Sequence, residues 1–137
     1  MQIVRVMVAD DFKPWCRLIG YMLETDSRLQ VVGHALDGLE AVQKAEELQP
    51  NLILLDIGLP KLNGIEAAKR IRQVAPKAKI LFVSSLNSSD VAKEALRVGG
   101  NGYVVKSEVS RELLPAIESV LGGEQFVSRA LDGPMTK

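Results

Sequence analysis

The chain lacks the features that would mark a secreted, membrane-spanning or nucleic-acid-binding protein. Cys16 is the single cysteine among 137 residues, which excludes an internal disulfide and is typical of the reducing cytoplasm. Seventeen basic residues balance seventeen acidic ones, so the charge gives no reason to expect binding to nucleic acid or to a membrane. No apolar stretch approaches the ~20 residues of a membrane span, and no signal-peptide pattern opens the chain. We therefore expect a cytoplasmic protein.

Common phosphate-binding motifs are also missing from the sequence. Neither a P-loop nor a G-x-G-x-x-G fingerprint is present. A flavin-binding electron carrier would need a loop rich in hydroxyl groups and glycine after the first predicted strand, and this chain has Asp10-Asp11-Phe12 there. An electron carrier of that kind is therefore a weak alternative.

Short apolar runs alternate with helical patterns along the whole chain. Five runs predict strands, at residues 3–9, 29–35, 52–55, 79–83 and 103–105. Each is followed by apolar residues at helical spacing, and the last helix is expected over residues 111–121, with a late start or a distortion at Pro115. This alternation predicts an α/β fold with helices on both faces of a parallel sheet. We expect the doubly wound, flavodoxin-like order 2-1-3-4-5 with five helices, an order adopted from known examples of this fold.

The domain organisation follows from the same pattern. Residues 1–122 hold all the predicted elements and form one domain, which is long enough to bury roughly two-thirds of its surface. Residues 123–137 are polar and contain glycine and proline, so we expect a tail or a linker there.

Residues 51–64, with the sequence NLILLDIGLPKLNG, place a single acid at the end of a buried strand. The run from Leu52 to Leu55 has no polar alternation, which is typical of a strand covered on both faces. Asp56 follows it directly, before glycine and proline interrupt regular structure. Ligands bind at the carboxyl ends of strands in such sheets, so Asp56 is the candidate reactive residue.

Polar residues also follow the other central strands of the predicted sheet. Asp10 and Asp11 follow the first strand, Ser84 the fourth and Lys106 the fifth. Three carboxylates at one edge repel each other unless a cation offsets them, and oxygen ligands favour Mg²⁺. Such a site suits phosphoryl transfer to a carboxylate, with Lys106 and Ser84 contacting the phosphoryl oxygens.

Simpler interpretations of these residues remain open. Asp10 and Asp11 could cap the first helix, and Lys106 could be a surface lysine paired with an aspartate. Ser84 could be an ordinary strand-end hydroxyl, and Tyr103 could serve only in packing. A phosphatase with an aspartyl nucleophile is a further alternative, although such enzymes need a second acid where this chain has glycine, two residues after the nucleophile.

Taken together, the motifs resemble the receiver domain of bacterial response regulators over about residues 3–128. The residues that carry the resemblance are Asp10-Asp11, Asp56 within LLDIGLP, Gly64, Ser84, and Tyr103 and Lys106 within GYVVKS. The run ELLPAIESVLGGEQFVS is similar to receivers that precede a LuxR/FixJ-type helix-turn-helix domain. The sequence departs from the family mainly in Ser84, where threonine is commoner, and in Gly58, which bears on the lifetime of a phosphoryl group.

The resemblance implies a function for each of these residues. A histidine kinase or a phosphotransfer protein would phosphorylate Asp56, and Mg²⁺ would be held by Asp10, Asp11, Asp56 and the backbone carbonyl of Gly58. Ser84 and Tyr103 would switch the face formed by the fourth helix, fifth strand and fifth helix, through which a homodimer could form.

The same resemblance bounds the activity of the domain. It implies no enzymatic activity beyond self-phosphorylation and slow dephosphorylation, and no binding of nucleic acid by this domain alone. Transcription would be regulated through a helix-turn-helix domain that this sequence does not contain. The alternative is a stand-alone response regulator that acts by protein-protein contact.

Overall fold

The computed structural model describes residues 2–131, which form a parallel sheet with helices on both faces. The strands are β1 (Val4–Ala9), β2 (Leu29–Ala35), β3 (Leu52–Leu55), β4 (Lys79–Ser84), β5 (Gly102–Val105) and β6 (Phe126–Val127). The helices are α1 (Lys13–Leu23), α2 (Gly38–Leu48), α3 (Gly64–Val74), α4 (Ser89–Arg97) and α5 (Val109–Leu121). The strand order is β2-β1-β3-β4-β5-β6, and each neighbouring pair is parallel. The predicted α/β class, the order of the first five strands and the five helices are confirmed.

A sixth strand corrects the prediction of a five-stranded sheet. Phe126 and Val127 pair in parallel with Gly102 and Tyr103 of β5, within the stretch that we expected to be a tail or linker. Two residues are too few to give a recognisable alternation of polar and apolar side chains. The strand forms because the chain returns beside β5, whose outer edge has free backbone groups to pair.

The sheet separates two apolar clusters, one on each face. Ile53 and Leu55 of β3 pack with residues of α2, α3 and α4, whereas Leu52 and Leu54 pack with residues of α1 and α5. All four side chains are buried. Burial on both faces explains why this strand shows no polar alternation in the sequence, and it places the following residue at a rigid strand end.

The ends of the helices partly follow the sequence signals. Ser88 is the N-cap of α4, and its side chain accepts a hydrogen bond from the backbone of Val91 at 3.3 Å, as the serine-rich turn predicts. Of the two effects expected of Pro115, a late start or a distortion, the late start is wrong: α5 begins at Val109, after a 3-10 turn at Lys106–Glu108, and Pro115 lies within it. Pro115 is on the exposed side of the helix, where water can satisfy the carbonyl that proline leaves unbonded.

No helix within residues 2–131 has the length and apolar character that crossing a bilayer requires.

Gly64 holds the loop after β3 against the end of that strand. Its backbone N–H donates to the Ile57 carbonyl at 2.7 Å. A Cβ atom at this position would lie 2.1 Å from the backbone oxygen of Asp56, which is far inside contact distance. The first residue of α3 must therefore be glycine for the helix to begin this close to Asp56.

We expect Gly64→Ala to lower the free energy of unfolding by about 1–3 kcal/mol, because the added methyl group must displace the backbone that carries Asp56. Urea denaturation measures the change. Gly20→Ala is the matched control, since a Cβ at Gly20 has no atom within 4 Å and alanine favours its helix by about 0.5–1 kcal/mol. Equal stability of the two variants would contradict this account of the loop.

Candidate functional site

The site lies where β1, β3, β4 and β5 end at one edge of the sheet. Asp10 follows β1 and Asp56 follows β3, and the last residues of these strands, Ala9 and Leu55, are partners in the register. Ser84 is the last residue of β4, and Lys106 follows directly after β5. The strand order thus brings together side chains that are far apart in the sequence.

Three carboxylates form the centre of the site. Oxygen atoms of Asp10, Asp11 and Asp56 all lie within 4.8 Å of one another. Asp10 and Asp56 are buried, at 2% and 8% exposure, whereas Asp11 is exposed. These aspartates do not cap α1, which was the simpler alternative. Phe12 is the N-cap, and no side chain caps this helix.

Lys106 supplies the positive charge beside this cluster. Its Nζ atom lies 2.6 Å from Asp10 Oδ2 and 3.8 Å from Asp56 Oδ2. It also lies 4.9 Å from the centroid of the Trp15 ring, a cation–π contact. The side chain is only 20% exposed, which distinguishes it from an ordinary surface lysine. These contacts hold the ammonium group beside the carboxylates of Asp10 and Asp56.

The pKa of Asp56 is raised above its usual value, first because burial removes water from the carboxylate. The positive charge of Lys106 opposes this rise, and the negative charge of Asp10 adds to it. Backbone hydrogen bonds from Gly58 and Ile57 to the carboxylate also lower the pKa. The site thus holds a partly dehydrated carboxylate whose charge depends on a neighbouring cation.

Gly58 lies next to this carboxylate, where the sequence places it. A Cβ at Gly58 would lie 3.9 Å from Asp56 Oδ2, and the residue is exposed. The loop therefore leaves open space beside Asp56. An incoming group can approach the carboxylate from this side.

Ser84 and Tyr103 are joined through the backbone of Leu86. The Leu86 N–H donates to Ser84 Oγ at 3.2 Å, and the Leu86 carbonyl accepts from the Tyr103 hydroxyl at 2.8 Å. Tyr103 is fully buried, and its ring stacks on Phe82 with centroids 6.3 Å apart. Its pKa is raised, chiefly by burial; the Ser84 hydroxyl opposes the rise and the charge of Asp56 adds to it. The ring therefore lies in the interior of the protein in this structure.

Trp15 is the residue of this site that sequence reasoning missed. The sequence alone favours filling of the core or the surface, because an aromatic residue at helical spacing usually has that role. It lies five residues after Asp10 in a helix that begins beside the acidic cluster, which is the signal that could have identified it. Its contact with Lys106 depends on β1 and β5 meeting at the same edge of the sheet.

Comparisons with known proteins agree with this geometry. The family described as response regulator receiver domain matches residues 6–118. The chain is 34% identical over 122 residues to the uncharacterized transcriptional regulatory protein YxjL of Bacillus subtilis. The matched region covers 88% of this chain and 56% of YxjL. It is 33% identical over 116 residues to the chemotaxis protein CheY of Thermotoga maritima. The matched region covers 85% of this chain and 96% of CheY.

A solved structure is similar over most of the chain. It is a two-component response regulator of the LuxR family from Aurantimonas, with a TM-score of 0.89, 34% sequence identity, and coverage of 93% of this chain and 91% of that chain. The chain spans just over half the length of several curated relatives, between 56% and 60% for YxjL, GacA of Pseudomonas viridiflava and LnrK of Bacillus subtilis. With the acidic cluster and its lysine at the strand ends, these findings show that the chain belongs to the response regulator receiver domain family of two-component signalling.

Proposed function

We propose that Asp56 accepts a phosphoryl group from a histidine kinase or a phosphotransfer protein and that the phosphorylated domain signals through protein contacts. The observation that carries this proposal is the position of the Asp56 carboxylate, buried at a strand end, within 4.8 Å of two other carboxylates and 3.8 Å from Lys106. Receiver domains are signalling proteins, which agrees with this role.

The chemistry is a transfer between a donor and the Asp56 carboxylate. A carboxylate oxygen attacks phosphorus, the bond from phosphorus to the donor breaks, and the donor atom leaves with the electron pair. Lys106 offsets the added negative charge, and the Ser84 hydroxyl donates a hydrogen bond to a phosphoryl oxygen. Open space at Gly58 lets the donor approach. The domain has no further activity in this proposal except slow loss of the phosphoryl group to water.

The residues present fit the Mg²⁺ ion that this reaction needs. Asp10, Asp11 and Asp56 offer carboxylate oxygens within 4.8 Å of one another, close to the roughly 3–4 Å between oxygens that share one Mg²⁺. With the backbone carbonyl of Gly58, which the family resemblance implies as a further ligand, they would form the set of hard oxygen ligands that Mg²⁺ prefers. When bound, the ion neutralises charge on the phosphoryl group. Lys106 keeps Asp10 oriented for this role through the 2.6 Å ion pair.

The signal leaves through α4, β5 and α5. A phosphoryl group on Asp56 draws the Ser84 hydroxyl toward its oxygens, which changes the hydrogen bond from Leu86 to Ser84. The Leu86 carbonyl holds the Tyr103 hydroxyl, so the buried position of Tyr103 responds to this change. Two arrangements a few kcal/mol apart are enough for such a switch. The homodimer that we expect forms through this face.

The output is the regulation of transcription through a helix-turn-helix domain. Similar proteins include the transcriptional regulatory protein YxjL and a LuxR-family regulator, which supports this assignment. A stand-alone regulator is the second candidate, because the chain covers 96% of the Thermotoga CheY. The reading frame that follows the codon for Lys137 in the gene separates the two. A cytoplasmic location, and the absence of nucleic-acid binding by this domain alone, stay predictions.

Phosphorylation should depend on Asp56. With acetyl phosphate and Mg²⁺, we expect intact-protein mass spectrometry to show one added phosphoryl group, and none on Asp56→Asn, because the amide is not a nucleophile. Asp90→Asn, an exposed aspartate in the first turn of α4, is the matched control and should be labelled like the wild type. Undiminished labelling of Asp56→Asn would rule out the assignment.

Mg²⁺ binding should depend on Asp11 most and on Asp10 next, because Asp10 is already paired with Lys106. We expect Asp11→Ala to weaken binding by more than about tenfold, measured by calorimetry, and to abolish Mg²⁺-dependent quenching of Trp15 fluorescence. Trp15 is the single tryptophan, and its contact with Lys106 places it beside the site. Asp90→Ala should bind as the wild type does. An unchanged titration of Asp11→Ala would count against the metal site.

The response should travel through Ser84. With beryllofluoride as phosphoryl mimic and Mg²⁺, we expect amide chemical-shift changes from Asp56 through residues 86–96 and 103–113. Ser84→Ala should confine them to the acidic site, because it removes the acceptor of the Leu86 N–H. Ser85→Ala, which changes an exposed neighbour, should leave the wild-type pattern intact. Distant changes that persist in Ser84→Ala, or that appear on α1, would show that the relay is wrong.

A further inference from the structure

Glu112 is a buried acid outside the phosphorylation site. It lies on α5 and is 8% exposed. One carboxylate oxygen accepts from the Ser128 hydroxyl at 2.6 Å, and the other accepts from the Arg129 backbone N–H at 3.1 Å. Both donors come from the segment that follows α5. The charge of Glu112 is thus used to bind a piece of the same chain.

This segment, residues 126–131, is called the C-terminal strap. Its first two residues form β6, and the Ser128 N–H donates to the Tyr103 carbonyl at 2.8 Å. Ala130 and Leu131 pack against the apolar cluster that contains the Tyr103 ring. The strap therefore contacts both the backbone of Tyr103 and the cluster around its side chain.

The strap has few backbone attachments, and its apolar side chains Phe126, Ala130 and Leu131 are only partly buried. β6 is only two residues long, and it pairs on one side, with β5. Segments with few backbone hydrogen bonds and little apolar burial open locally more easily than the core of a protein. Hydrogen bonds to a carboxylate are about twice as strong as those between neutral groups, so Glu112 contributes a large share of what holds the strap in place.

We propose that Glu112 is a latch: it holds the C-terminal strap on β5, and the docked strap stabilises the buried position of Tyr103. Strap docking and Tyr103 burial are then two parts of one conformational equilibrium. Coupling between them is reciprocal, so whatever favours the buried ring also favours the docked strap.

The latch has a consequence for signalling, and this consequence rests on the proposed function. Tyr103 is joined to Ser84 through Leu86, at the edge of the site that accepts the phosphoryl group. The strap leads directly to the residues after Leu131. Hydrogen bonds thus connect Ser84, beside Asp56, through Leu86 and Tyr103 to Ser128 of the strap.

The latch is tested on the full chain by hydrogen exchange, without Mg²⁺ or phosphodonor, so that its failure is distinct from a failure of phosphorylation. We expect Glu112→Gln to speed exchange of the Ser128 amide about tenfold, because a neutral amide holds the strap less strongly. The Ser128 amide is the decisive probe, since its acceptor is the Tyr103 carbonyl and not Glu112 itself. Faster exchange at Arg129 alone, with Ser128 unchanged, overturns the latch.

Glu118→Gln is the matched control on the same helix. The Glu118 carboxylate is exposed, and its Oε2 atom lies 2.8 Å from a guanidinium nitrogen of Arg28, which is not part of the strap. Exchange at Ser128 should therefore stay at the wild-type rate in this variant. Equal acceleration in Glu112→Gln and Glu118→Gln would mean a general loosening of α5, and it overturns the specific role of Glu112.

The coupling to Tyr103 has its own readout in the tyrosine ring resonances. The chain has two tyrosines, and Tyr21 is 66% exposed, so it serves as an internal reference. In Glu112→Gln the Tyr103 ring signals should move toward those of Tyr21, while Tyr21 stays unchanged. A released strap with unchanged Tyr103 signals overturns the coupling.

Ser128→Ala keeps the proposal testable if Glu112→Gln does not fold. It removes the hydroxyl donor from the strap and leaves α5 intact, and we expect the same two changes, about tenfold in exchange and toward Tyr21 in the ring signals. Wild-type behaviour of Ser128→Ala in both measurements overturns the proposal.

Discussion

Burial of the Asp10 and Asp56 carboxylates beside Lys106 is the constraint on which the rest of the structure depends. Charged groups lose water at this edge of the sheet, and the ion pair with Lys106 at 2.6 Å offsets part of that loss for Asp10. For Asp56 the pKa remains raised, so the carboxyl group binds a proton more tightly in the folded protein than in the unfolded chain. Stability that is fully present below the unfolded-state pKa of Asp56 is therefore lost as the pH rises through its folded-state pKa.

The remainder of the fold keeps this acidic cluster in place. β3 is buried on both faces and Gly64 closes the loop behind Asp56, so the carboxylate sits on a rigid support. Hydrogen bonds connect Ser84 through Leu86 to Tyr103, and further hydrogen bonds join the strap to Tyr103 and to Glu112. A carboxylate held at a strand end, next to a hydrogen-bonded relay, is the arrangement that the proposed phosphorylation switch needs.

Much of this architecture could be predicted because strong local patterns carried it. Alternating buried strands and amphipathic helices determined the α/β class, and the acids and the lysine directly after strands indicated the site. Local signals failed where the outcome depends on another part of the chain. The strand at Phe126 has no pattern of its own and exists because β5 offers an edge. Pro115 suggested a late start or a distortion, but α5 begins at Val109 and includes Pro115, which lies on its exposed side.

The sequence by itself determined which chemical groups stand at the strand ends, because residue type and position after a buried run are local properties. Only the tertiary structure decided their relations: that Asp10 rather than Asp56 is the close partner of Lys106, that Trp15 faces its ammonium group, and that Tyr103 is already buried. It also decided that the buried charge of Glu112 binds the chain's own C-terminal strap. The physical reason is that hydrogen bonds, ion pairs and burial act over a few ångströms in space, and the partners concerned lie from 16 to 96 residues apart in the sequence.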